Sequence, residues 1–155
     1  MPSYIGTAEN PEDTPELLEE YPLVLTTGGG FMPFHHSEHF NMPNIRYLYP
    51  DPYFYINPDC AENLGIEQGD WCWIENHLGR VQLKATCSLF WIIDHFARPC
   101  WWFPERNGEA PELYGAFDSN PNNLMPHEDV GVTGYGAPYK NGICKIHRTD
   151  APVQA

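Results

Sequence analysis

At 155 residues the chain is long enough for one domain with its own core, and 42% hydrophobic with 14% aromatic residues excludes a disordered polymer. Eight Lys and Arg against 21 Asp and Glu leave a formal charge of −13, a surface that repels nucleic acid and anionic membrane alike. No apolar run approaches the roughly 18–20 residues of a membrane-spanning helix.

The first residues, Met1-Pro-Ser-Tyr-Ile-Gly6, have neither the basic end nor the apolar stretch of a secretory leader, so a complete chain is expected in the cytoplasm. Sixteen prolines and thirteen glycines favour short strands and many loops. The five cysteines, Cys60, Cys72, Cys87, Cys100 and Cys144, are odd in number and form no C-x-x-C pair. That argues against a zinc site or a disulfide framework and for reduced, mostly buried thiols.

Residues 1–20 read as an acidic, proline-punctuated lead-in, with one helical turn after Thr14 as cap and Pro15 at the first helical position. Leu23-Val-Leu25 is a buried strand. It runs through Thr26 and Thr27 into Gly28, Gly29 and Gly30, then to His35, His36, Ser37, Glu38 and His39. Serial glycines let a ligand approach the main chain, and exposed N–H groups suit phosphate or polar heterocycle oxygens. The same residues suit a flexible surface loop, and the stretch alone does not choose. Asn41 to Pro52 is an ordered, proline-rich loop with a helical turn near Ile45 to Tyr49, and Tyr53 to Ile56 is a strand.

Asn57 caps a short helix from Pro58 to Leu64, which Gly65 stops in the left-handed conformation. Gln68-Gly-Asp70 is a turn, Trp71 to Glu75 a strand, and Asn76 to Gly79 a hairpin loop with Gly79 expected at positive φ. Trp71 and Trp73 share a face, read as core-facing. Arg80 to Cys87 alternates, with Val81, Leu83, Ala85 and Cys87 on the core side. Residues 88–100 are strongly apolar, without periodicity or turn signal. Trp101-Trp-Phe-Pro-Glu-Arg106 follows, then a long loop over 107–142, a closing strand from Ile143 to His147, and a fraying tail. No internal repeat of fixed period is visible.

Six pieces, in order, resemble the molybdopterin dinucleotide-binding domain of the dimethyl sulfoxide reductase superfamily of molybdenum and tungsten oxidoreductases. They are Thr26-Thr-Gly28 with His36-Ser37, Asn57 to Asp70, Gly79-Arg80, Trp101-Trp-Phe-Pro-Glu105, Asn122-Asn-Leu124 and Pro138-Tyr-Lys140. The Trp-Trp-Phe-Pro-Glu form resembles a subgroup that includes catechol dehydroxylases, transhydroxylases and arsenate-type reductases. The resemblance implies a mainly β fold, a double-psi β-barrel with short added helices and long loops, over residues 21–148. Residues 1–20 would be the lead-in and 149–155 the tail.

It further implies molybdopterin guanine dinucleotide as cofactor, in the bis form, and the remaining domains or subunits of a molybdenum oxidoreductase as partners. The chain would then be a cofactor-binding cap, not active by itself. Position by position, Thr27, Gly28 and Gly29 would present backbone and hydroxyl groups, and His36 and Ser37 would hydrogen-bond pterin or phosphate. Trp101 would approach the pterin, Asn123 would read guanine, and Tyr139 and Lys140 would close on the cofactor. Where relatives often carry a basic residue this chain has Gly29 and Phe40, so Lys140 and Arg46 are the cations in reach of the motifs. In place of the family's turn and strand near 88–100 stands an atypical run, read as local divergence, with a short shifted reading frame as one source.

Competing chemistry is thin. His35, His36 and His39 approach metal-ligand spacing, but no fourth ligand is placed. Ser37 beside His36 lacks an orienting acid, which argues against a hydrolase. A different reading is a free-standing barrel that has lost the cofactor and self-associates as a homo-oligomer through exposed tryptophans.

Overall fold

The computed structural model describes residues 12, 14–27, 39, 42–89, 95–97, 117–126 and 142–151, with 46 and 95–97 placed by their backbone. Among these the fold is mainly β. Its strands are β1 (Leu23–Thr27), β2 (Tyr53–Ile56), β3 (Trp71–Asn76), β4 (Gly79–Cys87), β5 (His95–Ala97) and β6 (Gly142–Thr149). They close into a barrel in the order β1-β5-β2-β4-β3-β6. Two short helices, α1 (Pro43–Arg46) and α2 (Pro58–Asn63), and 3-10 turns at Pro15–Glu19 and Pro121–Leu124 decorate it. No described helix is long and apolar enough to cross a membrane.

The pairing mixes two parallel contacts, β1 with β5 and β2 with β4, with antiparallel ones elsewhere. Exchanging β1 with β4, β2 with β5 and β3 with β6 leaves this pairing scheme unchanged. The barrel therefore consists of two three-strand halves with one plan, a repeat of topology that the sequence does not display. The same scheme makes β1, β3 and β5 point one way and β2, β4 and β6 the other. One end of the barrel thus collects the last residues of β1 and β3 and the first residues of β4 and β6.

Strand phase follows the alternation of apolar residues. Val81, Leu83 and Ala85 on β4 are buried, and their even-numbered neighbours face outward. Phe54 and Ile56 on β2, Cys72 and Ile74 on β3, and Leu25, Cys144 and Ile146 join the same core. Burial raises the Cys72 thiol to about 12, with the Asp70 charge adding to it, and also raises Cys144. Cys60, Cys72, Cys87 and Cys144 are free thiols.

Helix α2 matches its sequence signals closely. Asn57 Oδ1 accepts from Asp59 N at 2.8 Å, and Pro58 occupies the first turn. Gly65 takes φ +66°. Ile66 N donates to Ala61 O at 2.8 Å and Gly65 N to Glu62 O at 3.0 Å, the paired bonds of a Schellman stop.

Four expectations need correction. Thr14 stands at the cap position of the first 3-10 turn, but its side chain makes no capping bond. Gly79 is not among the positive-φ glycines; a Cβ there would meet Asn123 O at 3.1 Å, so close approach explains the glycine. Trp71 and Trp73 face outward, because Cys72, Ile74 and Asn76 take the inward phase of β3. Cations cover their rings: Arg80 Cζ lies 4.4 Å from the Trp73 centroid and Lys84 Nζ 5.9 Å from that of Trp71. Finally, the atypical stretch 88–100 does hold a strand. β5 pairs with β1 at Thr26↔Phe96 and Thr27↔Ala97, and with β2 from Phe54↔Ala97 to Ile56↔His95.

Candidate functional site

The end of the barrel where β1 and β3 finish is bridged by the 3-10 turn Pro121–Leu124. Asn120 opens this turn, its Oδ1 accepting from Asn122 N at 3.0 Å. Leu124 is fully buried and reaches the barrel core. The β3–β4 hairpin supplies the second anchor. Asn76, 5% exposed at the end of β3, donates from Nδ2 to Leu124 O at 2.8 Å. Its Oδ1 accepts from Leu78 N at 3.0 Å and Gly79 N at 3.2 Å. Gln82 N donates to Asp118 O at 2.7 Å, so the chain ahead of the turn is fastened to β4 as well.

The far side of the turn reaches the start of β6, where Gly142 pairs with Leu25 of β1. A Cβ placed on Gly142 would lie 3.2 Å from Met125 Cε and 3.4 Å from Leu25 O. Residues 121–125 therefore cross from Gly79 on the hairpin to Gly142 and Leu25, two residues short of Thr27. The structure brings Asn123 and Thr27 to one end of the barrel by this route.

Asn123 is half-buried. Its Nδ2 donates to Phe117 O at 2.6 Å, which fixes the amide with Oδ1 as the group left to accept. Thr27 is 4% exposed and Thr26 7% exposed. The Thr26 hydroxyl is buried without a hydrogen-bond partner among the described residues, which is costly unless something else satisfies it. An amide with an oxygen left to accept, a glycine whose added Cβ would crowd Asn123 O and an orphaned hydroxyl together suit a polar, hydrogen-bonding ligand.

Of the other residues singled out in the sequence, Gly28, Gly29, His36, Ser37, Trp101, Tyr139 and Lys140 lie outside the described residues, as do His35 and Cys100. His39 is described, exposed and at φ +64°. Asn76 was visible in the sequence only as a hairpin residue. Its spacing before Gly79 is an Asx-turn signal, and nothing local announces that its Nδ2 spans to residue 124. A separate shallow cavity of about 350 Å³ lies on the outer wall of β2 and β4, lined by Tyr49, Tyr53, Tyr55, Gln68 and Lys84. Lys84 is held there by Asp51 at 2.9 Å.

Comparison with known proteins gives a consistent result. The molydopterin dinucleotide binding domain family matches residues 23–143. The dopamine dehydroxylase of Eggerthella lenta is 37% identical over 130 residues, which cover 82% of this chain and 12% of that protein. The acetylene hydratase of Syntrophotalea acetylenica is 32% identical over 139 residues, covering 85% of this chain and 17% of that protein. Among solved structures, acetylene hydratase from Pelobacter acetylenicus superposes with TM-score 0.84 at 25% identity, over 96% of this chain and 21% of that one. The chain thus spans less than a fifth of the length of these curated relatives.

Proposed function

We propose, for a chain that belongs to the molybdopterin dinucleotide-binding domain family, that its barrel end grips the guanine nucleotide part of that cofactor as the cap of a larger oxidoreductase. The observation that carries the reading is the convergence of Asn123 and the Thr26–Thr27 strand end on one rim, joined by the 121–125 turn. The exchange of β1β2β3 with β4β5β6 supports a double-psi form of the barrel.

Base choice follows from the Asn123 amide. With one Nδ2 hydrogen engaged by Phe117 O, Oδ1 would meet the base as an acceptor. Guanine offers two donors on its Watson–Crick edge, N1–H and the exocyclic amine. Adenine offers one donor on that edge, its exocyclic amine, beside an unprotonated ring nitrogen. A single acceptor oxygen is therefore better matched by guanine, with two adjacent donors, which supports the guanine reading.

The remaining contacts are assigned along the chain. Gly28 and Gly29 follow Thr27 directly and would let phosphate oxygens meet backbone N–H groups. His36 and Ser37 would hydrogen-bond pterin or phosphate, Trp101 would lie against the pterin, and Tyr139 and Lys140 lead into β6 with one cation for phosphate. The bis form of the cofactor would place a second dinucleotide against the partner domains. The cofactor supplies metal-centred redox chemistry when bound; this chain supplies grip and base selection. The rest of the enzyme, in the same polypeptide or a separate one, supplies the catalytic groups.

The test is retention of molybdopterin guanine dinucleotide, released from a purified molybdoenzyme, on the chain after desalting, read by pterin fluorescence. The wild-type chain retains pterin. Asn123→Ala weakens retention about 5- to 100-fold, the range for losing one hydrogen bond to a buried donor. Equal retention by both proteins would contradict the assignment.

A further inference from the structure

We infer that Asn76 is the positioning residue of the base-reading turn: from the β3–β4 hairpin it sets where Asn123 meets its ligand. This rests on the guanine reading above. The side chain makes three bonds in two directions. Two acceptor bonds, to Leu78 N and Gly79 N, close the hairpin. The third, Nδ2 to Leu124 O, leaves the hairpin and holds the residue next to Asn123.

The chemistry separates these two tasks. Closing the hairpin needs only an acceptor, which aspartate supplies equally well. Holding Leu124 O needs a donor, which aspartate at neutral pH lacks. An asparagine whose only task was the turn would be under no demand for its N–H. Here that N–H lies in a buried bond of 2.8 Å, where a carboxylate oxygen would face a carbonyl oxygen.

Gly79 acts from the same hairpin on the neighbouring peptide. Its Cα lies so close to the turn that an added Cβ would stand 3.1 Å from Asn123 O and 3.9 Å from Asn123 Cβ. The hairpin thus comes close beneath Asn123 at Gly79, where only a glycine leaves room without crowding, and holds Leu124 through Asn76. With Leu124 sunk in the core, the turn cannot leave. What the two contacts fix is its height and tilt, and hence the place of the Asn123 amide.

The experiment uses the full 155-residue chain and two substitutions, Asn76→Asp and Gly79→Ala. Amide hydrogen exchange is followed by NMR at residues 122–125 and at the core strand β4. Binding of GDP and of ADP is measured in parallel. The expected result is exchange about tenfold faster at 122–125 with β4 amides unchanged, and a fall in the GDP-over-ADP preference of at least about fivefold. Gly79→Ala leaves all three Asn76 bonds in place and tests the close approach to Asn123 alone. If Asn76→Asp fails to fold, Asn76→Ser, which keeps a short acceptor for the turn but cannot reach Leu124 O, is measured in its place. Unchanged exchange at 122–125 in the folded variants overturns the inference, as does faster exchange spread evenly over all strands. A wild-type chain with no preference for GDP overturns the guanine reading instead, and the exchange result still decides whether Asn76 holds the turn.

Discussion

The β3–β4 hairpin and the β1–β5 pair are neighbouring-strand contacts of one barrel, yet they are built from opposite resources. The hairpin registers six positions, from Trp71↔Lys84 to Asn76↔Gly79, across a connection of only His77 and Leu78. The β1–β5 pair registers two, Thr26↔Phe96 and Thr27↔Ala97, between distant parts of the chain. Closing a short loop costs little entropy; joining residues 26 and 96 requires the rest of the barrel to be in place. The hairpin is therefore the self-sufficient region and the β1–β5 strand end the dependent one. The candidate site uses both: the hairpin positions the Asn123 turn, and the dependent strand brings Thr26 and Thr27.

Phe54 is where this contrast breaks most severely. It lies on β2, opposite Ala85 of β4 and Ala97 of β5, and is fully buried. Phe54→Ala is expected to cost about 3–5 kcal/mol, read as a lower urea midpoint. Native-state exchange should show the β5 amides opening well before those of β3 and β4. Simultaneous opening of all strands would remove the distinction between the two regions.

Thr26 sharpens the comparison from the dependent side. Its orphaned hydroxyl is a cost without ligand, so Thr26→Val should raise the thermal midpoint of the free chain, by about 1 kcal/mol of stability. The same variant should retain less molybdopterin guanine dinucleotide. A stabilised variant that binds as well as wild type would show that the hydroxyl does not serve the ligand.

The smallest effect lies in an ion network that ties the two regions at the surface. Lys145 on β6 sits 3.0 Å from Glu75 of β3 and 3.2 Å from Glu20, just ahead of β1. Its ammonium also lies 5.2 Å from the centroid of the Tyr21 ring. Hydrogen bonding from Lys145, then from Tyr21, holds the Glu20 carboxyl below its ordinary 4.5. Hydrogen bonds to Glu75, then Glu20, raise Lys145 above its ordinary 10.5. A lowered carboxyl stabilises the fold above pH 4.5, and that contribution disappears as acid takes the pH through its folded value. A raised ammonium stabilises below pH 10.5, and that part disappears as alkali takes the pH through its folded value. Solvent screening keeps both contributions small. Lys145→Met should flatten the acid and alkaline slopes of the urea midpoint slightly, and more at low salt than at high. Slopes that do not change would remove the network from the stability of the chain.

What could be read in the sequence follows the same division. The hairpin and α2 were legible because their signals are local: the alternation of β4, the Asn57 cap and Gly65 just past the helix end. β5 was not, since its three residues carry no flanking turn signal and gain their partners only when β1 and β2 are side by side. The phase of β3 was ambiguous because Trp71 and Trp73 are apolar on one face and Cys72 and Ile74 on the other. Arg80 and Lys84, stacked on the tryptophans, resolve it. Gly79 announced a turn and turned out to mark a contact. At the site, the Asn-Asn-Leu motif pointed to Asn123, whereas the reach of Asn76 to Leu124 is a three-dimensional fact with no local trace.

The most direct test is to titrate the full chain with GDP, and separately with ADP, while following the amide resonances of the barrel. GDP should shift Thr27 and Asn123 together, with ADP leaving them in place. If GDP instead moves only the outer wall at Tyr49, Tyr53 and Tyr55, or moves the rim no more than ADP does, then the barrel end is not a guanine nucleotide site.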